Sequence, residues 1–220
     1  AFEITPDNTI FREEIFGPVL SVYVYDDAKD PMHYAVYLSQ AGLGLPDRDY
    51  YLEPAFAAQK AGYEAYVAQM LKLSGWANPE ASAKAIVAME TEIAKVSWTR
   101  AERRDDDKTY NPYEVAKLAA YAPGFDWSAF LEGAGLARAD RVIVAENTAF
   151  PKIAQIFAQA PMETLKAWAA FSLADNAAPY LAKDFDQAHY AFRDKMLSGQ
   201  PEQKPRWKRA STRSRRPFEC

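Results

Sequence analysis

Apolar and polar positions alternate over residues 18–25, where Val22 and Val24 stand against Ser21, Tyr23 and Tyr25. Period-two alternation rich in Val and Tyr reads as a strand. The polar run Asp26-Asp27-Ala28-Lys29-Asp30-Pro31 is turn-like, and residues 33–38 read as a second strand. The pair is expected to form a β-hairpin with a long polar loop. Residues 42–48, Gly42-Leu43-Gly44-Leu45-Pro46-Asp47-Arg48, hold too many glycines and prolines for a regular element and are read as a loop. From Pro54 the period becomes helical: Phe56, Tyr63, Tyr66, Val67, Met70 and Leu71 recur on one face, and Gly75 stands where a C-cap belongs. Asn78-Pro79-Glu80 is a helix start, and that helix runs through Ile86, Met89, Ile93 and Val96. Lys84, Glu90, Glu92 and Lys95 are assigned to its opposite, solvated face.

Beyond the charged stretch 100–108, Tyr110-Asn111-Pro112 is expected to open a short helix through Val115 and Leu118. Asp126 caps a helix that begins at Trp127 and ends near Gly133 or Gly135, and residues 141–144 are β-like. Further helices begin near Pro151 and at Pro161-Met162-Glu163. The second runs through Leu165, Trp168, Ala169 and Phe171, and Asp175-Asn176 weakens it before Pro179. A last helix carries Tyr180, Leu181, Phe185, Phe192 and Met196 and stops at Gly199, its aromatics read as core. The expected fold class is mainly α: a multi-helical domain with an N-terminal β-hairpin, incomplete as it stands.

Composition narrows the chemistry. The chain has 220 residues, 49% hydrophobic and 25% charged, with a net charge of −4, which describes a folded globular protein. Residues 206–220 carry Arg206, Lys208, Arg209, Arg213, Arg215 and Arg216 against Glu219, a net +5 that leaves the rest at −9. Its last ten residues, STRSRRPFEC, have no apolar periodicity and no interleaved aromatics on which bases stack, so the tail is read as a solvated end and nucleic acid is not expected as a partner. No run is long and apolar enough to span a bilayer, and no secretory signal opens the chain. With no initiator methionine, the sequence reads as an internal piece of a longer product.

Catalytic chemistry is scarce. There is no Gly-x-Ser-x-Gly, and Cys220 is the final residue, where no scaffold orients it. A zinc hydrolase needs clustered ligands, commonly two histidines four apart on a helix. The two histidines here, His33 and His189, fall in a strand and a helix far apart in sequence, and both are read as ordinary packing or surface residues. Asp105-Asp106-Asp107 lacks the alternate spacing and glycine of a calcium loop. No catalytic residue and no metal ligand is assigned from the residues themselves.

Two segments resemble known families. Arg12-Glu13-Glu14-Ile15-Phe16-Gly17-Pro18-Val19-Leu20-Ser21-Val22 resembles a signature found late in aldehyde dehydrogenases, nearest the pyrroline-5-carboxylate (glutamate semialdehyde) type. That resemblance covers about residues 9–25. It implies that Glu14 holds the nicotinamide ribose hydroxyls and Phe16 packs beside the nicotinamide, an NAD-related alternative reading. The Rossmann unit and the catalytic cysteine of that family are missing. Residues 31–209 resemble the N-terminal helical region of the M13 (neprilysin-like) zinc metallopeptidases, nearest the bacterial PepO type. The residues that carry this are the Tyr34-to-Gln40 strand followed by Gly42-Leu43-Gly44-Leu45-Pro46-Asp47-Arg48-Asp49-Tyr50-Tyr51, then Glu90-Thr91-Glu92-Ile93-Ala94, Arg103-Arg104-Asp105, Tyr110-Asn111-Pro112, Phe125-Asp126-Trp127, and 199–209 from Gly199-Gln200 onward.

The expected organisation is therefore a dehydrogenase-like segment at 1–25, a truncated M13-type helical region at 26–210 and an unrelated basic tail at 211–220, a chimera of two families. The M13 resemblance implies zinc and peptide substrates for the parent family, usually outside the cytoplasm. Zinc there polarises a water that attacks the peptide carbonyl with a glutamate as base. The His-Glu-x-x-His helix that holds that zinc is absent from this sequence. The chain is expected to form part of the wall around the site, inactive alone. A non-enzymatic interaction fragment that self-associates through its incomplete core is the further alternative.

Overall fold

A computed structural model describes residues 20–27, 30–203 and 205, with side chains from residue 35 on. In chain order the main elements are β1 (Leu20–Asp27), β2 (Asp30–Gln40), α1 (Ala57–Leu73), α2 (Pro79–Val96), β3 (Pro112–Glu114), α3 (Trp127–Gly133), β4 (Arg141–Val144), α4 (Phe150–Gln159), α5 (Met162–Ala177) and α6 (Lys183–His189). A π-helical segment, Tyr190–Leu197, follows α6 directly. The fold is mainly helical, as expected. The described chain divides into two compact units, residues 20–42 with 96–159 and residues 43–95 with 160–205.

The first unit is built on a four-stranded sheet in the order β1-β2-β4-β3. The hairpin β1–β2 is present, antiparallel, with Val22 opposite Leu38 and Val24 opposite Val36. Asp27 pairs with Asp30, so the connection is far tighter than the long polar loop expected. The sheet then grows beyond a hairpin. β4 lies parallel to β2, with Tyr37 opposite Ile143, and β3 lies antiparallel to β4. Val142, Ile143 and Val144 are all fully buried, as a strand with neighbours on both sides requires.

β3 corrects the helix expected from Tyr110-Asn111-Pro112 through Leu118: residues 112–114 are a strand, followed by a 3-10 turn, Val115–Lys117, and one helical turn, Leu118–Tyr121. Pro112 cannot donate to a ladder, and β3 is an edge strand, where a missing donor is tolerated. The Asn111 side chain holds the junction by donating to the carbonyls of Val144 and Ala145 at 3.0 and 3.2 Å. α3 starts as expected, with the Asp126 carboxylate accepting from the Ala129 N–H at 3.0 Å.

The second unit packs α1, α2, α5, α6 and the π-helical segment around a core that includes Tyr63, Val67, Met70, Leu71, Ile86, Ile93, Phe171 and Phe192. α1 ends in a Schellman motif: Gly75, at φ 75, donates to the Lys72 carbonyl, and Trp76 donates to Leu71, both at 3.0 Å. α2 begins at Pro79, but Asn78 sits in the left-handed region at φ 55, a conformation Asn tolerates, and not in the extended one usual for a cap. α5 runs on through Asp175 and Asn176 to Ala177. The expected weak point holds because Asp175 is fixed by partners from other elements. The expected last helix is broken: a 3-10 turn, Ala178–Tyr180, precedes α6, and Tyr180 and Leu181 are exposed, not core.

Candidate functional site

The first unit has an open cleft of about 480 Å³, lined by Tyr37, Ser39, Arg100, Arg103, Arg104, Thr109, Ala145 and Glu146. β2 supplies Tyr37 and Ser39, the segment after β4 supplies Ala145 and Glu146, and the charged stretch 100–109 supplies the three arginines. Glu146 is 1% exposed. Its carboxylate accepts from the Gln40 backbone N–H at 2.8 Å and from Arg103 Nε at 3.0 Å, so the buried charge is matched. Gln40 in turn makes a reciprocal pair with the Trp98 backbone, accepting at 2.7 Å and donating at 3.1 Å. The bond to Glu146 engages Nε of Arg103, whose side chain is 43% exposed. The charged stretch 100–108 thus contributes one half-exposed arginine to a buried carboxylate.

The second unit holds a deeper polar knot. Glu90 was assigned to the solvated face of α2; it is instead fully buried, three residues before Ile93 and four after Ile86, on the same face as both. The Tyr51 hydroxyl donates to Glu90 Oε2 at 2.6 Å, and the Tyr63 hydroxyl and Trp168 Nε1 donate to Oε1 at 3.1 and 2.9 Å. Burial pushes the Glu90 carboxyl up from 4.5 to about 7, against the pull of those donors. Burial also raises the Tyr51 and Tyr63 hydroxyls, with the Glu90 charge adding to it.

The knot fixes the loop that follows β2. The Leu45 N–H donates to the Tyr51 hydroxyl at 3.0 Å, and an Arg193 amino group donates to the Gly44 carbonyl. Arg193 pairs with Asp175, which also accepts from the Tyr66 hydroxyl. The guanidinium lies 5.6–5.8 Å from the ring centres of Phe192, Tyr66 and Tyr63. A Cβ on Gly44 would stand 1.8 Å from the Tyr63 hydroxyl oxygen, so only glycine fits. Saturated with donors and closed to solvent, Glu90 meets no substrate; its work is to hold Tyr51, Tyr63 and Trp168, and through them residues 44–51.

Glu14 and Phe16, the residues singled out by the dehydrogenase resemblance, lie outside the described residues, as do the basic residues 206–220 and Cys220. Asp105 is half-exposed and caps the turn Asp106–Thr109, and the hydrogen bonds it accepts from Lys108 hold its carboxyl below the usual range. His189 is half-buried, and burial lowers its pKa. The zinc implied by the M13 resemblance finds no fit: among the described residues no group of three or more His, Cys, Asp or Glu side chains is placed to hold a metal ion. No described helix is long and apolar enough to cross a membrane. Glu90 was legible in the helical spacing of α2. Glu146, a lone acid after an apolar run, left no sequence signal of its burial.

The profile of the N-terminal region of peptidase family M13 matches residues 8–218. Human endothelin-converting enzyme 1 is 28% identical over 200 residues, covering 87% of this chain and 26% of that protein. Neprilysin-11 of Caenorhabditis elegans is 25% identical over 207 residues. The structure of the zinc metalloprotease Zmp1 of Mycobacterium tuberculosis in its open state overlaps with a TM-score of 0.85 at 30% identity, covering 93% of this chain and 32% of that one. PepO from Lactobacillus rhamnosis has the same fold, with a TM-score of 0.72 at 21% identity. The chain spans about a quarter to a third of the length of these proteins. The matched range takes in residues 9–25, so the dehydrogenase-like signature and the chimeric reading find no support in these comparisons. With a match over 8–218 and a shared fold, the chain belongs to peptidase family M13 and corresponds to the N-terminal helical region of its members.

Proposed function

We propose that this chain serves as the non-catalytic helical part of an M13 metallopeptidase acting on peptides, shaping the space around a zinc site without supplying its chemistry. The observation that carries the reading is the extent of the family match, 8–218, set against a coverage of 26% of human endothelin-converting enzyme 1. Two features support it. The sequence has no His-Glu-x-x-His, and the buried carboxylates Glu90 and Glu146 are both consumed by internal donors. An acid so engaged is a framework residue, not a general base. NAD binding through residues 9–25 is not part of the proposal.

The test is hydrolysis of a fluorogenic peptide by the purified chain with zinc added. No turnover above buffer is expected, and chelator-sensitive cleavage overturns the reading. Self-association belongs to the same proposal, supported by the exposed Met162, Leu173 and Tyr180. Size-exclusion chromatography at two concentrations is expected to show mass rising with concentration, and a clean monomer at both removes it.

A further inference from the structure

We infer that the cleft of the first unit is a carboxylate-binding site that takes an acidic peptide segment. The inference does not rest on the peptidase reading. At about 480 Å³ the cleft has the size of a small-ligand or peptide-side-chain pocket. Three guanidinium groups, Arg100, Arg103 and Arg104, line it beside one carboxylate, Glu146, and Arg100 has a partner of its own. Glu146, 1% exposed, is already matched by Arg103 Nε and the Gln40 N–H. Among the described residues, the two Nη groups of Arg103 make no hydrogen bond and Arg104 makes no ion pair. A guanidinium fork left open in this way matches the planar, two-oxygen geometry of a carboxylate.

The surroundings favour a group carried on a peptide. Ser39 adds a hydroxyl to the wall, and Ala145 an apolar surface. The Arg103 side chain is pre-positioned by its buried partner, so binding costs less side-chain ordering than at a free surface arginine. Asp105, the nearest acid in sequence, is taken up by Lys108 at 3.1 Å and does not neutralise Arg104.

The experiment is calorimetric titration of the 220-residue chain with a capped peptide bearing two adjacent glutamates, against the same peptide with glutamines, and with inorganic phosphate as a separate arm. Saturable binding of the glutamate peptide is expected, weaker at high salt, with the glutamine peptide at least about tenfold weaker, the value of one charge-assisted contact. R104Q, at an exposed position, is expected to weaken binding about tenfold, and R138Q, an exposed arginine outside the cleft, to leave it unchanged. R103K keeps the charge but loses the fork and is expected to weaken binding as well. No saturable binding, equal losses in R104Q and R138Q, equal binding of the two peptides, or phosphate binding tighter than the glutamate peptide each overturn the assignment.

Discussion

Replacing Gly44 by alanine places a methyl carbon 1.8 Å from the Tyr63 hydroxyl oxygen and 2.5 Å from the ring carbon that bears it. Tyr63 has nowhere to go. It is fully buried, edge-on to Tyr51 and Phe171 at 6.4 and 5.9 Å, and its hydroxyl is tied to Glu90 at 3.1 Å. Overpacking of this kind costs about 1–3 kcal/mol. Displacing the ring also removes a hydrogen bond to a buried carboxyl, about 1.5–3 kcal/mol when that group is charged. The two overlap, and about 3 kcal/mol is the expected loss. For a chain of this size that lowers the melting temperature by roughly 6–12 °C. The assay is thermal unfolding followed by circular dichroism and tryptophan fluorescence. Tyr63→Phe removes the oxygen at 1.8 Å but not the ring carbon at 2.5 Å, so Gly44→Ala is expected to cost about 1 kcal/mol less in that background. A change under about 2 °C for the single variant, or additive effects in the double, refutes the claim that this glycine exists to admit Tyr63.

Other predictions come from the same clusters. Because the folded pKa of Glu90, about 7, lies above its ordinary 4.5, the folded state holds the proton more tightly. That stability is complete below about pH 4.5 and is lost as pH rises through about 7, an effect of up to about 3 kcal/mol; denaturant titrations across pH 4.5–8 should show the decline in the wild type and not in Glu90→Gln. Asp175→Asn strips Arg193 of its partner in a site where the two side chains are 13% and 21% exposed, and is expected to cost about 2–4 kcal/mol by urea unfolding. Asn111→Ala removes donors to three carbonyls, those of Lys108, Val144 and Ala145, and an acceptor for Asn147. It is expected to cost about 2–3 kcal/mol and to raise amide exchange in β4 selectively.

Much of this architecture is visible in residue spacing, and the failures share a cause. Helices α1 and α2 announce themselves through apolar periodicity and through Gly75 and Pro79, which act locally. β3 does not, because three residues carry no period and the strand exists only through its pairing with β4. The partners of the polar knot are hidden for the same reason. Glu90 was sorted by its charge to the solvated face, although its spacing from Ile86 and Ile93 puts it inside. Its donors come from residues 51, 63 and 168, and no local rule joins them. Asp175 looks like a helix breaker in isolation and stands in an intact helix because Arg193 and Tyr66 hold it. The family resemblance, by contrast, was carried by residues 42–51, and the knot explains their character: Gly44 admits Tyr63, and Tyr51 holds Leu45.

The role proposed for this chain is framework for an M13 peptidase, without the metal chemistry of that family. The most direct measurement is metal content: the chain purified in the presence of zinc, dialysed, and analysed for zinc by elemental analysis. Zinc well below one atom per chain and no change in thermal stability on adding a chelator are expected. One tightly held zinc per chain, with a melting temperature that falls when it is removed, contradicts it.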